Sequence, residues 1–270
     1  MAASREPDVS AASSIQDRVN LRVYHSAGIH QWYPSDAALD RAETMALLKY
    51  QPAFAGRDVL DIGIGTGRTS RYLAPLARRY EGGDYSPQMV EYVLACLPHL
   101  SIRLTDMRDL SAFGGGTFDF VFASCNVIDA VSHGDRERTL SEVRRVLRPG
   151  GLFAFSSHNR RYFRALLGPP LQISRNPVTL AKNAAAYVRS LVNHARVGRL
   201  RRQDAEYALL NDAGHEYACL HYYIDGASQQ RQLERLGFRL RDLFDASGRA
   251  VSAAGDHSAS SSLLYVAERQ

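Results

Sequence analysis

Apolar positions along this chain follow two rhythms: short runs of strand length, and longer stretches with an apolar residue every third or fourth place. The first run, Asp58 to Ile62, holds Val59, Leu60 and Ile62 and reads as a strand covered on both faces. Further strands are predicted at Tyr80 to Gly83, Ile102 to Leu104, Phe118 to Ala123, Leu152 to Ser156, Phe238 to Phe244 and Leu263 to Ala267. Helices are predicted between them. One runs from about Arg68 to Arg79 with Tyr72, Leu73, Leu76 and Ala77 inward. A second follows Ser86 as N-cap, has Pro87 at its first position and buries Met89, Val90, Val93 and Leu94. Two more span Asp135 to Leu147 and Ser228 to Leu236, the last closed by Gly237. Upstream, Ser35 is predicted to cap a helix, with Asp36 in its first turn and Leu39, Ala42, Met45 and Ala46 on its apolar face. The alternation predicts a parallel α/β sheet, and the last two strands, joined without a helix, predict an antiparallel closing pair.

The alternation lapses from Asn159 to Asp225, for longer than an ordinary crossover. Gly168-Pro169-Pro170 breaks the chain early there, and Val178 to Val197 is helical in pattern, with Leu180, Ala184, Tyr187, Leu191 and His194 on one face. Ala218 to Asp225 then returns to the sheet. The expected organisation is an N-terminal tail and helical lid over residues 1–50, a core from 51–158 and 218–270, and a basic helical cap inserted at 159–217.

Charge sharpens that division. The chain carries +5 in total, but Asn159 to Arg202 holds ten basic residues and no acid, so the basic character belongs to the insert. Such a segment solvates a cap, or attracts an anionic acceptor, an acidic lipid surface or RNA. Its face is poor in aromatics, which argues against nucleic acid as partner. With 45% hydrophobic residues in 270, a full core is within reach and general disorder is excluded. No apolar run approaches the roughly 18 residues of a membrane span. Met1 to Ser14 lacks the apolar centre of a signal peptide and reads as a tail. Cys96, Cys125 and Cys219 lie far apart and form no metal-type pair, which fits a cytoplasmic chain without structural zinc or disulfides. Oligomeric state is not legible.

The chemistry concentrates after the first strand, in Asp61-Ile62-Gly63-Ile64-Gly65-Thr66-Gly67-Arg68. Gly63, Gly65 and Gly67 allow a tight turn whose backbone can lie against a ligand, and the following helix start points N–H groups at it. A dinucleotide fingerprint needs glycine where Arg68 stands, which disfavours a nicotinamide-dependent oxidoreductase. Asp61 before the turn suits a ligand carrying an ammonium better than a pyrophosphate. Asp84 lies 19 residues beyond Gly65, near the offset at which a strand-end acid meets an adenosine ribose. Asp61-x-Gly63-x-Gly65-x-Gly67 resembles the first motif of the class I S-adenosylmethionine (SAM) dependent methyltransferases of the small-molecule type. Gly82-Gly83-Asp84-Tyr85-Ser86-Pro87-Gln88-Met89 resembles their second motif, and Leu147-Arg148-Pro149-Gly150-Gly151 their pattern before the fifth strand.

The resemblance implies a Rossmann-like sheet of seven strands, mostly parallel with the last antiparallel, helices on both faces, SAM as cofactor and no metal. It implies that Gly63, Gly65 and Gly67 meet the methionine moiety, that Asp61 with Tyr24 or Tyr33 holds its polar end, and that Asp84 holds the ribose. Asp106 and Met107 would hold the adenine, and Tyr85 and Met89 complete the second motif. Cys125 is a small residue beside the cofactor and not a nucleophile, since no basic group sits at a fixed spacing to activate it. Asn126 and Asp129, at the end of the fourth strand, could orient an acceptor or cap the loop. His158, Tyr222 and Tyr223 are candidates for the acceptor wall, and His158, His25 or His221 for a base toward a hydroxyl. The expected reaction is methyl transfer to an oxygen or nitrogen of a small-molecule acceptor such as a natural product, sugar or amine. A nucleic-acid methyltransferase is the competing reading. Its support is the basic insert, and Asn126-Val127-Ile128-Asp129 lacks the Pro-Pro-aromatic signature of base amino methylases.

Overall fold

A computed structural model describes residues 15–26, 28–33, 38–162 and 167–270. Its strands are β1 (Asp58–Ile62), β2 (Arg79–Asp84), β3 (Ile102–Leu104), β4 (Phe118–Ala123), β5 (Leu147–Asn159), β6 (Arg202–Gln203), β7 (Tyr207–Leu210), β8 (His221–Ile224), β9 (Phe238–Phe244) and β10 (Ser262–Arg269). The helices are α1 (Ile15–Tyr24), α2 (Arg41–Lys49), α3 (Gln51–Phe54), α4 (Ser70–Leu73), α5 (Pro87–Cys96), α6 (His133–Val146), α7 (Pro177–Val197) and α8 (Gly226–Arg235).

One sheet runs β3-β2-β1-β4-β5, all parallel. β10 then pairs antiparallel with β5, and β9 antiparallel with β10, which closes a seven-stranded core. β5 is long enough to serve two neighbours. Leu152 to His158 pair with β10, whereas His158 and Asn159 also pair with Tyr223 and Ile224 of β8. From there β7 and β6 continue antiparallel. The segment expected to be a helical cap therefore contributes a small hairpin as well as α7, because runs as short as Tyr207 to Leu210 carry too few residues to show a period.

Strand alternation sends side chains to two cores. Leu60, Ile62, Val121, Phe153 and Phe155 pack with α6 on one face. Val59, Phe120, Phe122, Ala154 and Val266 pack with α2 on the other. Ser35 and Asp36 lie outside the described residues. The cap of α2 is Asp40, whose carboxylate accepts from the Glu43 N–H while Glu43 accepts from the Asp40 N–H. The helix expected over Arg68 to Arg79 is a single turn, since Pro75 cannot continue it, and Tyr72 and Leu76 are exposed where inward positions were expected. Leu94 is likewise exposed on α5.

α1 docks without an apolar face. Its buried side chains are Gln16, Asp17 and Asn20. Gln16 donates to the carbonyls of Asp129 and Leu220, and Asn20 to those of Ala130 and Leu220. Arg108 ties Asp17 to Asp106 and Asp135. α1 is thus held at the carboxyl ends of the strands by polar contacts, whereas the 3-10 turn Ile29–Trp32 buries Ile29 and stacks His30 on Tyr92 of α5.

Candidate active site

Strand order reverses between β1 and β4, and the crevice beyond their carboxyl ends is where open α/β sheets take ligands. A cleft opens there, with about 1020 Å3 of space including its mouth. Gly63, Gly65, Asp84, Tyr85, Met89, Cys125, Tyr24 and Tyr33 all line it. Trp32, Thr66, Arg68, Thr69, Ser86 and Ser124 join them. Asp106 and Met107 line a smaller cavity that shares Tyr85 and Ala130 with the first.

The glycine-rich turn is built on left-handed backbone, with φ of +67° at Gly63 and +53° at Gly65. A Cβ on Gly65 would meet no atom within 4 Å, so bare backbone faces open space there. Asp84, at the tip of β2, is buried. Its Oδ2 accepts from the Gly65 N–H at 2.9 Å and its Oδ1 from the Ser86 N–H at 2.9 Å. Burial pushes its pKa up, against the pull of those N–H groups. Each oxygen retains a second lone pair for a ligand hydroxyl.

Two expected cofactor residues stand behind the lining. Gly67 faces Val93 and Leu97, where a Cβ would sit 3.3 Å from each, so its bareness serves packing. Asp61 is buried under the turn, with Oδ2 accepting from Thr69 Oγ1 at 2.8 Å and from the Tyr80 hydroxyl at 2.9 Å. Its Oδ1 is buried without a partner, and burial pushes its pKa up to about 7. Asp106 is gripped by the Arg108 guanidinium, so an adenine amino group there would share an occupied carboxylate.

Arg68, read from the sequence only as an obstacle to a dinucleotide, organises the floor. It makes two 2.7 Å bonds to Glu43, donates at 2.7 Å to Ser124 Oγ and lies 3.0 Å from Cys125 Sγ. Burial alone would raise the Glu43 pKa, but the Arg68 bonds turn the shift downward. Glu43 had no sequence signal beyond its capping-box position.

The acceptor-side expectations are sorted differently. Asp129 cannot touch an acceptor: it is fully buried, ion-paired with the fully buried Arg136 and bonded to Ser157 Oγ at 2.8 Å. Its Oδ2 accepts from the His158 backbone N–H at 2.6 Å and lies 2.7 Å from His158 Nδ1. Tyr222 also points away. It is buried against His133, with its ring 4.5 Å from the Arg136 guanidinium. His25 is exposed and packs on the Tyr85 ring outside the cleft. Asn126 has φ of +56° and brings its amide 3.3 Å from His158 Nε2.

His158, His221 and Tyr223 form one cluster around Asp212, a residue the sequence did not single out because its segment has no period. Asp212 Oδ2 lies 2.9 Å from His221 Nδ1, 2.5 Å from the Tyr223 hydroxyl and 3.9 Å from His158 Nε2. His221 Nε2 meets the Tyr24 hydroxyl at 3.4 Å, which joins the cluster to the cleft wall. Burial would lower the His221 pKa, but the Asp212 carboxylate raises it well above its ordinary value. The Asp212 carboxylate therefore favours the protonated form of His221 and makes it a poorer proton acceptor. Ligand atoms of His158, Asp212 and His221 lie within 4.8 Å of one another. The two imidazoles are stacked, 5.1 Å apart at 18°, so their in-plane lone pairs run side by side and do not converge on one ion.

A doubly wound sheet, a glycine-rich turn after β1 and an acid at the tip of β2 define a fold built around an adenosine-like ligand. The profile of the methyltransferase domain family matches residues 59–151. A probable S-adenosylmethionine-dependent methyltransferase of Mycolicibacterium smegmatis is 36% identical over 141 residues, 52% of this chain and 52% of that protein. A malonyl-[acyl-carrier protein] O-methyltransferase of Pectobacterium atrosepticum is 34% identical over 129 residues, 46% of this chain and 48% of that one. A solved 1,6-didemethyltoxoflavin-N1-methyltransferase of Burkholderia thailandensis, with S-adenosylhomocysteine bound, superposes with a TM-score of 0.57 over 97% of this chain and 93% of that one, at 14% identity. Residues 59–151 thus match a methyltransferase domain, and the chain is similar to SAM-dependent methyltransferases in sequence over about half its length and in fold. It spans about half the length of the relatives it matches. No described helix is long and apolar enough to cross a membrane.

Proposed function

We propose that this protein methylates an oxygen or nitrogen of a small-molecule acceptor, with His158 receiving the proton that the acceptor gives up. One observation carries the reading. Asp129 Oδ2 engages His158 Nδ1 at 2.7 Å, so Nδ1 bears the hydrogen and Nε2 presents its lone pair. SAM supplies a methyl group on a sulfonium that leaves as a neutral thioether. The residues of the chain hold, align and exclude water, and alignment alone is worth roughly 7–11 kcal/mol.

In this reading the backbone of Gly63 and Gly65 lies against the methionine moiety, whose ammonium is drawn toward the buried acid Asp61. Asp84 accepts the ribose hydroxyls. Tyr85, Met107 and Asp106 enclose the adenine, and Tyr24, Trp32 and Tyr33 cover the donor from the lid side. Asp212, its carboxyl held well below the usual range by His221, balances the imidazole beside it. A malonyl O-methyltransferase and a toxoflavin N-methyltransferase among the similar proteins are consistent with O- or N-transfer.

The assignment is tested with methyl-labelled SAM and a panel of phenols, carboxylates and amines. His158→Ala should leave SAM affinity by calorimetry unchanged and lower turnover about a hundredfold, the low end for loss of a general base. Full turnover would remove His158 from that role. Asp84→Ala should weaken SAM binding about tenfold or more, as loss of hydrogen bonds to a charged group implies. Unchanged affinity would refute the ribose assignment.

A further inference from the structure

α7 stands apart from every other long helix of the chain. It has 21 residues, and only Ser190 and Val197 are buried. Asn193, which donates to the Glu216 carbonyl, lies on the same side as those two and marks the face that meets the body. The opposite face is apolar and open to solvent. Leu180, Val188, Leu191 and Val192 follow one another at helical spacing, with Val188 57% and Val192 59% exposed, and Ile173 just before the helix is 85% exposed. A stripe of aliphatic side chains this long on a surface marks an interaction site.

Charge decides what covers it. Arg175, Lys182, Arg196 and Arg199 are exposed along and beyond the helix, Arg189 is paired with Glu216, and residues 159–202 contain no acid. A second copy would set these cations against the same cations. The exposed apolar side chains of the stripe are aliphatic, without the aromatic anchors that carry most protein interfaces. Aliphatics on one face with basic residues beside them match a bilayer interface, where hydrocarbon takes the apolar face and anionic headgroups take the cations.

We propose that α7 is an interfacial docking helix that seats the enzyme on an anionic lipid surface. It lies beside the mouth of the cleft. Glu216, held by Arg189 and Asn193 of α7, adjoins His215, and His215 Nε2 meets the Tyr33 hydroxyl of the lid at 2.6 Å. His215, Glu216 and Tyr217 are all left-handed, with φ of +48°, +54° and +64°, a strained turn clamped between helix and lid. Docking through the opposite face thus sets α7 between the bilayer and the turn that holds the lid.

The test is co-sedimentation of the full chain with vesicles of phosphatidylcholine plus phosphatidylglycerol, and with phosphatidylcholine alone. The wild type should pellet with the anionic vesicles, release as salt is raised, and bind the neutral ones at least about tenfold more weakly. Val188→Glu with Leu191→Glu, both at exposed positions and neither lining the cleft, should lower the anionic partition by about tenfold or more while SAM affinity stays unchanged. Absence of sedimentation by the wild type would overturn the proposal, as would unchanged partition of the double variant. So would a concentration-dependent dimer, dissolved by the same two substitutions, in a protein that ignores vesicles.

Discussion

Replacing Asp129 by alanine is expected to lower the unfolding free energy by about 3–5 kcal/mol. The cause is the cation left behind. Arg136 is fully buried, and Asp129 is its only carboxylate partner among the described residues. Its other contacts, the Ile128 carbonyl at 3.1 Å, Gln229 Oε1 at 2.6 Å and Ser157 Oγ at 3.1 Å, are neutral and cannot compensate a full charge. The check is urea denaturation of both proteins. Adding Arg136→Met to the Asp129→Ala chain should recover most of the loss, because an apolar side chain needs no partner there. A single-variant loss below about 1 kcal/mol, the scale of an exposed pair, would show that the pair does not anchor this end of the sheet. The same substitution frees His158 Nδ1, so turnover should fall beyond what stability explains, and Asp129→Asn should reproduce that fall with less unfolding.

Gly63→Ala is the second large effect, expected to cost about 2–5 kcal/mol between stability and SAM binding. An added Cβ would stand 2.1 Å from Val127 Cγ2, and φ is +67°. Relief requires either Val127 or the turn to move, and Val127 follows the strained pair Cys125 and Asn126, both left-handed. Val127→Ala in the same chain removes the methyls at 2.1 and 3.0 Å but keeps Cβ at 2.9 Å, so it should restore most of the packing share, leaving mainly the cost of a left-handed alanine of about 1–2 kcal/mol. Gly65→Ala makes the contrast: it meets open space in the protein, so it should damage SAM affinity more than folding. Equal effects at the two glycines would remove the distinction between a packed and a ligand-facing turn.

The cofactor side was legible because its geometry is local. β1, its turn, β2 and Asp84 lie within 27 consecutive residues, and their backbone conformation follows from glycine and from strand ends. The acceptor side was legible only in residue type. Residue type names His158, His221 and Tyr223 without their hub, and leaves Asp129 open between an acceptor and a loop cap and Tyr222 between a pocket wall and strand packing, where the fold turns both toward Arg136 in the interior. In a strand, successive residues point to opposite faces, so Tyr222 and Tyr223 had to part company; which one turned inward depended on where β8 joined β5. Glu43 and Arg68 are 25 residues apart and meet across the cleft floor, a pairing that spacing could not indicate.

Periodicity and turn chemistry by themselves indicated the doubly wound core and the antiparallel closing strand, because apolar runs, helix stops and a missing crossover helix are written in local sequence even where the strands that pair lie far apart. Three features were decided only on folding: the branch of β5 toward β8, the exposed face of α7 and the proton inventory around Asp212. Each depends on burial and on the local field, which set the exposed face, the partners and the charge states, quantities that exist only once the chain has closed on itself.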